Sequence, residues 1–124
     1  MDDLYHEELL EAARAPHNRE EMVGADLISS SASNSCGDGC QIFLKLTTDK
    51  SAIEYCTWIG TGCAISTASL SLLSDQVQGK DIDTIQSWDE STLLSWLGLT
   101  TFSTARKKCL LLGLRTMQKL LEKI

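Results

Sequence analysis

The chain has 124 residues, 43% of them apolar and 23% charged, with 11 Lys plus Arg against 17 Asp plus Glu, a formal net charge of −6. That is the size of one domain with a real core. Its acidity gives it neither the footprint of a nucleic-acid binder nor that of a protein drawn to anionic membranes. No apolar run approaches the roughly 20 residues of a bilayer span. The opening Met1-Asp2-Asp3-Leu4-Tyr5-His6-Glu7-Glu8 is acidic where a secretory signal is basic, so a cytoplasmic location is expected. Five cysteines in such a chain point to metal or sulfur chemistry rather than a disulfide framework, and an odd number cannot all pair within one chain.

Residues 2–14 read as a helix, capped by Asp2 or Asp3, with Tyr5, Leu9, Ala12 and Ala13 at helical spacing and Pro16 as its stop. Residues 22–28 are a weak strand candidate, and the serine-rich 29–35 reads as a loop. Cys36-Gly37-Asp38-Gly39-Cys40 has a tight-turn composition. Residues 40–47 alternate as a half-buried strand with Ile42, Leu44 and Leu46 on one face. A turn at 48–51 leads to a second strand over 52–59, which predicts an antiparallel hairpin. Gly60-Thr61-Gly62 breaks that strand, and 63–78 reads as a helix stopped by Gly79. Two short helical pieces over 81–88 and 90–97 flank the cap Asp89, and Gly98 ends the second. A last helix starts at Ser103 or Thr104, with Leu110, Leu114, Met117, Leu121 and Ile124 as its apolar stripe. The expected architecture is α+β: a small three-stranded antiparallel sheet packed against N-terminal and C-terminal helices, in a single domain over residues 1–124.

The chain has no phosphate loop, and Gly60-Thr61-Gly62 lacks the third glycine of a dinucleotide fingerprint. His6 and His17 read as surface residues. The cysteines carry more. Cys36 sits in the glycine-rich turn, two residues before Asp38. Cys63 opens a helix, whose free amides and dipole favour a thiolate. Cys109 lies beside the Leu110 stripe, next to Arg106-Lys107-Lys108. Three thiolates and a carboxylate would complete a tetrahedral site or supply the four protein ligands of a two-iron cluster. Spacing alone leaves a shared site and unrelated buried thiols equally open, since 24 residues separate Asp38 from Cys63 and 45 separate Cys63 from Cys109. Cys40 falls on the Ile42 face and reads as a core thiol, with a Cys36–Cys40 ligand pair ranked lower. Cys56 reads as structural, and Trp58, Trp88 and Trp96 as packing residues.

On these residues the chain resembles the NifU/IscU/SufU family of iron–sulfur cluster assembly proteins, over nearly its whole length. The opening helix with Pro16-His17-Asn18 is similar to the family's first helix and its Pro-x-Asn ending. Asn34-Ser35-Cys36-Gly37-Asp38 is similar to its Asn-Pro-x-Cys-Gly-Asp, without the proline. Gly60-Thr61-Gly62-Cys63-Ala64-Ile65-Ser66-Thr67-Ala68-Ser69 is close to the SufU form, and Arg106-Lys107-Lys108-Cys109 resembles the SufU-type Arg-x-Lys-Cys. The resemblance implies a SufE/NifU-like fold, and Cys36, Asp38, Cys63 and Cys109 as ligands of a transient [2Fe-2S] cluster or of Zn²⁺. It also implies a cysteine desulfurase partner, recipient apo iron–sulfur proteins, possible homo-oligomers, and Cys109 as sulfur acceptor. A zinc-dependent sulfurtransferase is the alternative it implies. The chain departs from the IscU pattern in carrying Lys108 where a His precedes the last cysteine, and in lacking the Leu-Pro-Pro-Val-Lys motif. It departs from the SufU pattern in lacking an insertion between Gly79 and Arg106.

Overall fold

The computed structural model describes residues 10–33, 37–98 and 104–124, the side chains of 104–106 excepted. The expectations for Asp2, Asp3, Tyr5, His6, Leu9, Asn34, Ser35, Cys36 and Ser103, and for the Arg106 side chain, lie outside those residues. The elements run α1 (10–14), β1 (Leu27–Ile28), β2 (Ala32–Ser33), β3 (Gly39–Leu46), β4 (Ile53–Thr61), α2 (Ala64–Val77), α3 (Ile82–Gln86), α4 (Glu90–Leu97) and α5 (Thr104–Leu121).

The hairpin is the frame. β3 and β4 pair antiparallel from Gly39↔Thr61 to Lys45↔Tyr55, with a register shift before Leu46↔Ile53. Its turn is held by Asp49, whose Oδ1 accepts from Thr47 Oγ1 (2.8 Å), Ser51 N (3.1 Å) and Ser51 Oγ (2.8 Å). β4 occupies one edge of β3; β1 and β2 take the other, pairing with Leu44–Phe43 and Cys40–Gly39 respectively. The four strands therefore form three rows, with β1 and β2 sharing one.

Two strand expectations are corrected by that edge. The candidate over 22–28 shrinks to Leu27–Ile28, because Gly24 has φ 77 and turns the chain just before it. The serine segment is not all loop. Ser29 N donates to Ile42 O and Ser29 Oγ accepts from Ile42 N, both at 2.8 Å, and this docks the segment so that Ala32–Ser33 pairs with β3. Serine side chains carry no apolar alternation that would advertise it.

One face of the sheet is apolar and carries the core. Cys40, Ile42, Leu44 and Leu46 of β3, with Ile53, Cys56 and Trp58 of β4, are buried together with Leu70, Leu73 and Val77 of α2 and Leu110, Leu114, Met117 and Leu121 of α5. Cys40, Cys56 and Trp58 are thus packing residues, as expected. Trp88 and Trp96 pack edge to face at 4.9 Å. The α5 stripe ends one step early: Ile124 is 52% exposed, because the helix stops at Leu121.

Helix α2 is lined with small residues, and its buried serines all find partners. Ser69 Oγ donates to Leu110 O (2.8 Å), Ser71 Oγ accepts from His17 N (2.8 Å), and Ser74 Oγ donates to Ser71 O (2.7 Å). Gly113 lets α5 approach: a Cβ there would stand 2.7 Å from Leu70 Cδ2. The Pro16-His17-Asn18 segment seals the other side. Asn18 takes φ 60, a left-handed backbone that Asn tolerates better than most residues. Its Nδ2 donates to Ser74 Oγ and Asp75 Oδ1, both at 2.9 Å, while Trp58 Nε1 donates to His17 O at 2.9 Å. His17 is exposed as expected, and its ring bonds Asp75 rather than any of the described cysteines.

The short helices carry their own stops. Asp81 caps α3 by accepting from Thr84 N, and Asp89 forms a capping box with Thr92. Gly98 ends α4 in a left-handed conformation, φ 72. Among the described residues, no helix is long and apolar enough to cross a membrane.

Candidate metal centre

The hairpin register decides the site. Gly39 pairs with Thr61, so Asp38, just before β3, stands across from the Gly62-Cys63 turn that leaves β4. Asp38 Oδ1 accepts the Cys63 N–H at 2.8 Å, which fixes the carboxylate against the first residue of the turn into α2. Gly62 is required there. A Cβ at this position would fall 2.5 Å from Asp38 Oδ1 and 2.3 Å from Ser66 Oγ. Gly60 is required for the same approach one pair earlier, since its Cβ would stand 2.4 Å from Gly39 O.

Cys63 is the N-cap of α2. Burial alone would raise its thiol. Hydrogen bonding of the sulfur with the Ser66 N–H, the Cys109 thiol, the Ser66 hydroxyl and the Ile65 N–H favours the thiolate, and together these groups hold it below the ordinary thiol value. This is the helix-start effect expected from sequence. The third group comes from α5, which packs along α2 and places Cys109 near its own N-terminal end. Cys109 is 4% exposed, more enclosed than the border position expected from its place beside the stripe.

One donor atom each from Asp38, Cys63 and Cys109 lies within 4.8 Å of the others, a grouping of three drawn from three elements or their ends. Cys36, the fourth expected ligand, lies outside the described residues. Cys40, Cys56 and His17 are not in the group. Cys40 instead contacts Thr116 Oγ1 at 3.7 Å, and its thiol is raised by burial, partly offset by that contact. Burial, helped by the charge of Asp75, pushes the Cys56 thiol up to about 12.

The donor set fits a metal ion. Four sulfurs at the usual 2.3 Å from zinc stand about 3.8 Å apart along a tetrahedral edge, so the three atoms need close up only slightly. The electrostatics agree. Cys109 is pushed up to about 12, first by burial, then by hydrogen bonding with Asp38 and Cys63, which share its one proton, and by their negative charge. Three acidic groups crowded at one point cannot all ionise without a cation; Cys109 keeps the proton that a cation would displace.

Sequence reasoning named Asp38, Cys63 and Cys109. It missed Gly62 as the residue that lets carboxylate and hydroxyl close over the turn, and Ser66 as a contact of the Cys63 sulfur. Counting pairs outward from the 48–51 turn would have set Asp38 opposite Gly62.

A small α+β protein with a thiolate–carboxylate cluster at the open end of its hairpin is the class that fold and site define. Residues 4–123 match the family model described as NifU-like N terminal domain, and the chain belongs to that family. It is 26% identical over 136 residues to the iron–sulfur cluster assembly scaffold protein IscU of Thermotoga maritima, with 98% of this chain and 94% of that protein covered. It is 30% identical over 84 residues to the zinc-dependent sulfurtransferase SufU of Bacillus subtilis, with 68% of this chain but only 55% of that protein covered. The fold is shared with the crystal structure of a nitrogen-fixing NifU-like protein (N-terminal) from Brucella abortus, which is 18% identical at a TM-score of 0.78, with 99% of this chain and 95% of that one covered.

Proposed function

We propose that this chain, as one NifU-like domain over residues 1–124, is an iron–sulfur cluster assembly scaffold. It takes sulfur from a cysteine desulfurase, holds a [2Fe-2S] cluster transiently as cargo on Cys36, Asp38, Cys63 and Cys109, and passes it to recipient apo iron–sulfur proteins. The observation that carries this reading is the convergence of Asp38, Cys63 and Cys109 within 4.8 Å. The likeness to the Thermotoga scaffold along nearly all of both chains supports it.

In this reading each residue has a distinct task. Cys63, held as the readiest thiolate by the α2 amides, is the first anchor. Asp38 supplies the one oxygen ligand, weaker toward iron than a thiolate and therefore the point of release. Cys109 is the sulfur acceptor. Its sulfur attacks the terminal sulfur of the donor's persulfide, and the donor cysteine departs as a thiolate. A bound cation would keep Cys109 deprotonated for that attack.

A second reading is a zinc-dependent sulfurtransferase, in which Zn²⁺ rests on the same four residues and Cys109 accepts a persulfide. The 30% identity to the Bacillus protein favours it. Against it, the stretch between α2 and α5 holds only the short helices α3 and α4 among its described residues.

Metal and sulfide analysis of protein prepared without oxygen tests both. A brown protein with iron and sulfide at roughly 1:1 supports the scaffold. A colourless zinc protein that stimulates a desulfurase and accepts ³⁵S on Cys109 supports the transferase. Fully folded protein that carries no metal when prepared in this way overturns both readings.

A further inference from the structure

Ser66 lies in the first turn of α2, where its side chain is 2% exposed. Its hydroxyl donates to the Cys63 carbonyl at 3.1 Å, and the Cys63 thiol in turn points at the hydroxyl oxygen, 3.9 Å away. The carbonyl has a second donor, the Thr67 N–H at 3.1 Å. A serine hydroxyl has one proton, free to rotate about the C–O bond. That proton can therefore leave the carbonyl without stranding it, a move that would be costly if the carbonyl had no other partner.

From this arrangement we propose that Ser66 is a positioning residue of the metal centre. While Cys63 carries its own proton, that proton goes to Ser66 and the hydroxyl proton goes to the carbonyl. When the Cys63 sulfur binds a metal ion, it has no proton to give. The Ser66 hydroxyl then turns and donates to the sulfur, and Thr67 alone holds the carbonyl. The net change is a reversal of one hydrogen bond. Gly62 makes the reversal compact: a Cβ there would meet both Ser66 Oγ and Asp38 Oδ1, so the hydroxyl is enclosed on the side of the carboxylate. A donor to a ligating sulfur withdraws electron density from it and fixes its direction, as outer partners of metal ligands do.

This inference rests on the metal-centre reading, and the experiment separates the two. Co²⁺ is titrated anaerobically into the full chain as wild type, Ser66→Ala and Ser66→Thr, and the sulfur-to-cobalt charge-transfer band is followed. Wild type binds Co²⁺ with that band. Ser66→Ala binds about tenfold more weakly, with the band moved to lower energy because its sulfur is more electron-rich, and Ser66→Thr restores both. Thermal unfolding without metal checks that the variants are folded. If Ser66→Ala does not fold, the pair Ser66→Thr and Ser66→Val reads the same difference at matched shape. A band and affinity in the hydroxyl-free variant equal to wild type overturn the role of Ser66 and leave the metal centre standing. Failure of wild type itself to bind Co²⁺ overturns the metal centre and the role of Ser66 with it.

Discussion

The three acidic side chains of the centre have different environments and should fail differently when changed. Asp38 is 3% exposed and accepts the Cys63 N–H at 2.8 Å, so it is both a candidate ligand and the brace of the α2 turn. Removing it leaves an all-thiolate set, which grips iron harder. Asp38→Ala, reconstituted anaerobically, should hand its cluster to an acceptor apoprotein several-fold more slowly than wild type, and equal transfer rates would argue against the release role. Away from the centre, Cys56 makes a cleaner titration experiment. Its thiol is raised from 9.0 to about 12 by burial and by Asp75, so between those pH values the unfolded chain releases a proton that the folded chain keeps. Folding is then penalised as pH rises through that window, while below pH 9 the thiol contributes nothing to the slope. The penalty at pH 10.5 is about 2 kcal/mol. Urea unfolding at pH 8 and pH 10.5 should show wild type losing more stability across that step than Cys56→Ala; parallel losses would mean that the thiol is not so enclosed.

Elements join this fold at a few polar points, and Asn18 is the most exacting. It occupies a left-handed backbone, bonds Ser74 and Asp75 of α2, and gives its carbonyl to Trp58 N at 3.0 Å. Asn18→Ala loses the side-chain bonds and puts at a left-handed φ a residue that tolerates it less well than Asn does, for about 2–3 kcal/mol. Asn18→Gly loses only the bonds and should cost roughly 1 kcal/mol less. Chemical denaturation of the two variants reads this difference, and the reverse order would show that the backbone is not what Asn18 supplies. Such joints explain what was legible in the chain. The hairpin could be read because Ile42, Leu44 and Leu46 alternate and four turn-forming residues separate the strands. Asp89 and Gly98 declared the ends of α4 because a capping carboxylate and a left-handed glycine are local devices. β2 could not be read, because its pairing depends on a hydrogen bond between Ser29 and Ile42, 13 residues apart. Asp38 meeting Cys63 follows from the hairpin and was within reach of sequence. Cys109 reaching them was not, since it depends on α5 lying along α2 through Gly113 and Ser69. Only the likeness of motifs pointed there.

At the scale of the whole molecule, the centre is a clasp. The β3 start, the β4-to-α2 turn and α5 meet there; the hairpin ladder already joins the first two, whereas α5 is held to them by apolar packing and by single bonds such as Ser69 Oγ to Leu110 O. A metal ion bound to all three ties the hairpin to the last helix, and it binds the folded chain far better than the unfolded one, in which the donors are scattered. Its binding energy then appears as stability, about 2.7 kcal/mol at a free metal concentration one hundred times Kd. For a chain of this length that is a rise in Tm of roughly 10 °C. Calorimetry in increasing Zn²⁺ should show Tm climbing with concentration, and a chelator should return it to the metal-free value. In Cys109→Ser the climb should shrink sharply, because the α5 side of the clasp is gone, whereas Cys40→Ser should climb as wild type does from its own lower start. A Tm indifferent to Zn²⁺ in wild type, or an equal climb in Cys109→Ser, would mean that the metal does not bridge the hairpin and α5.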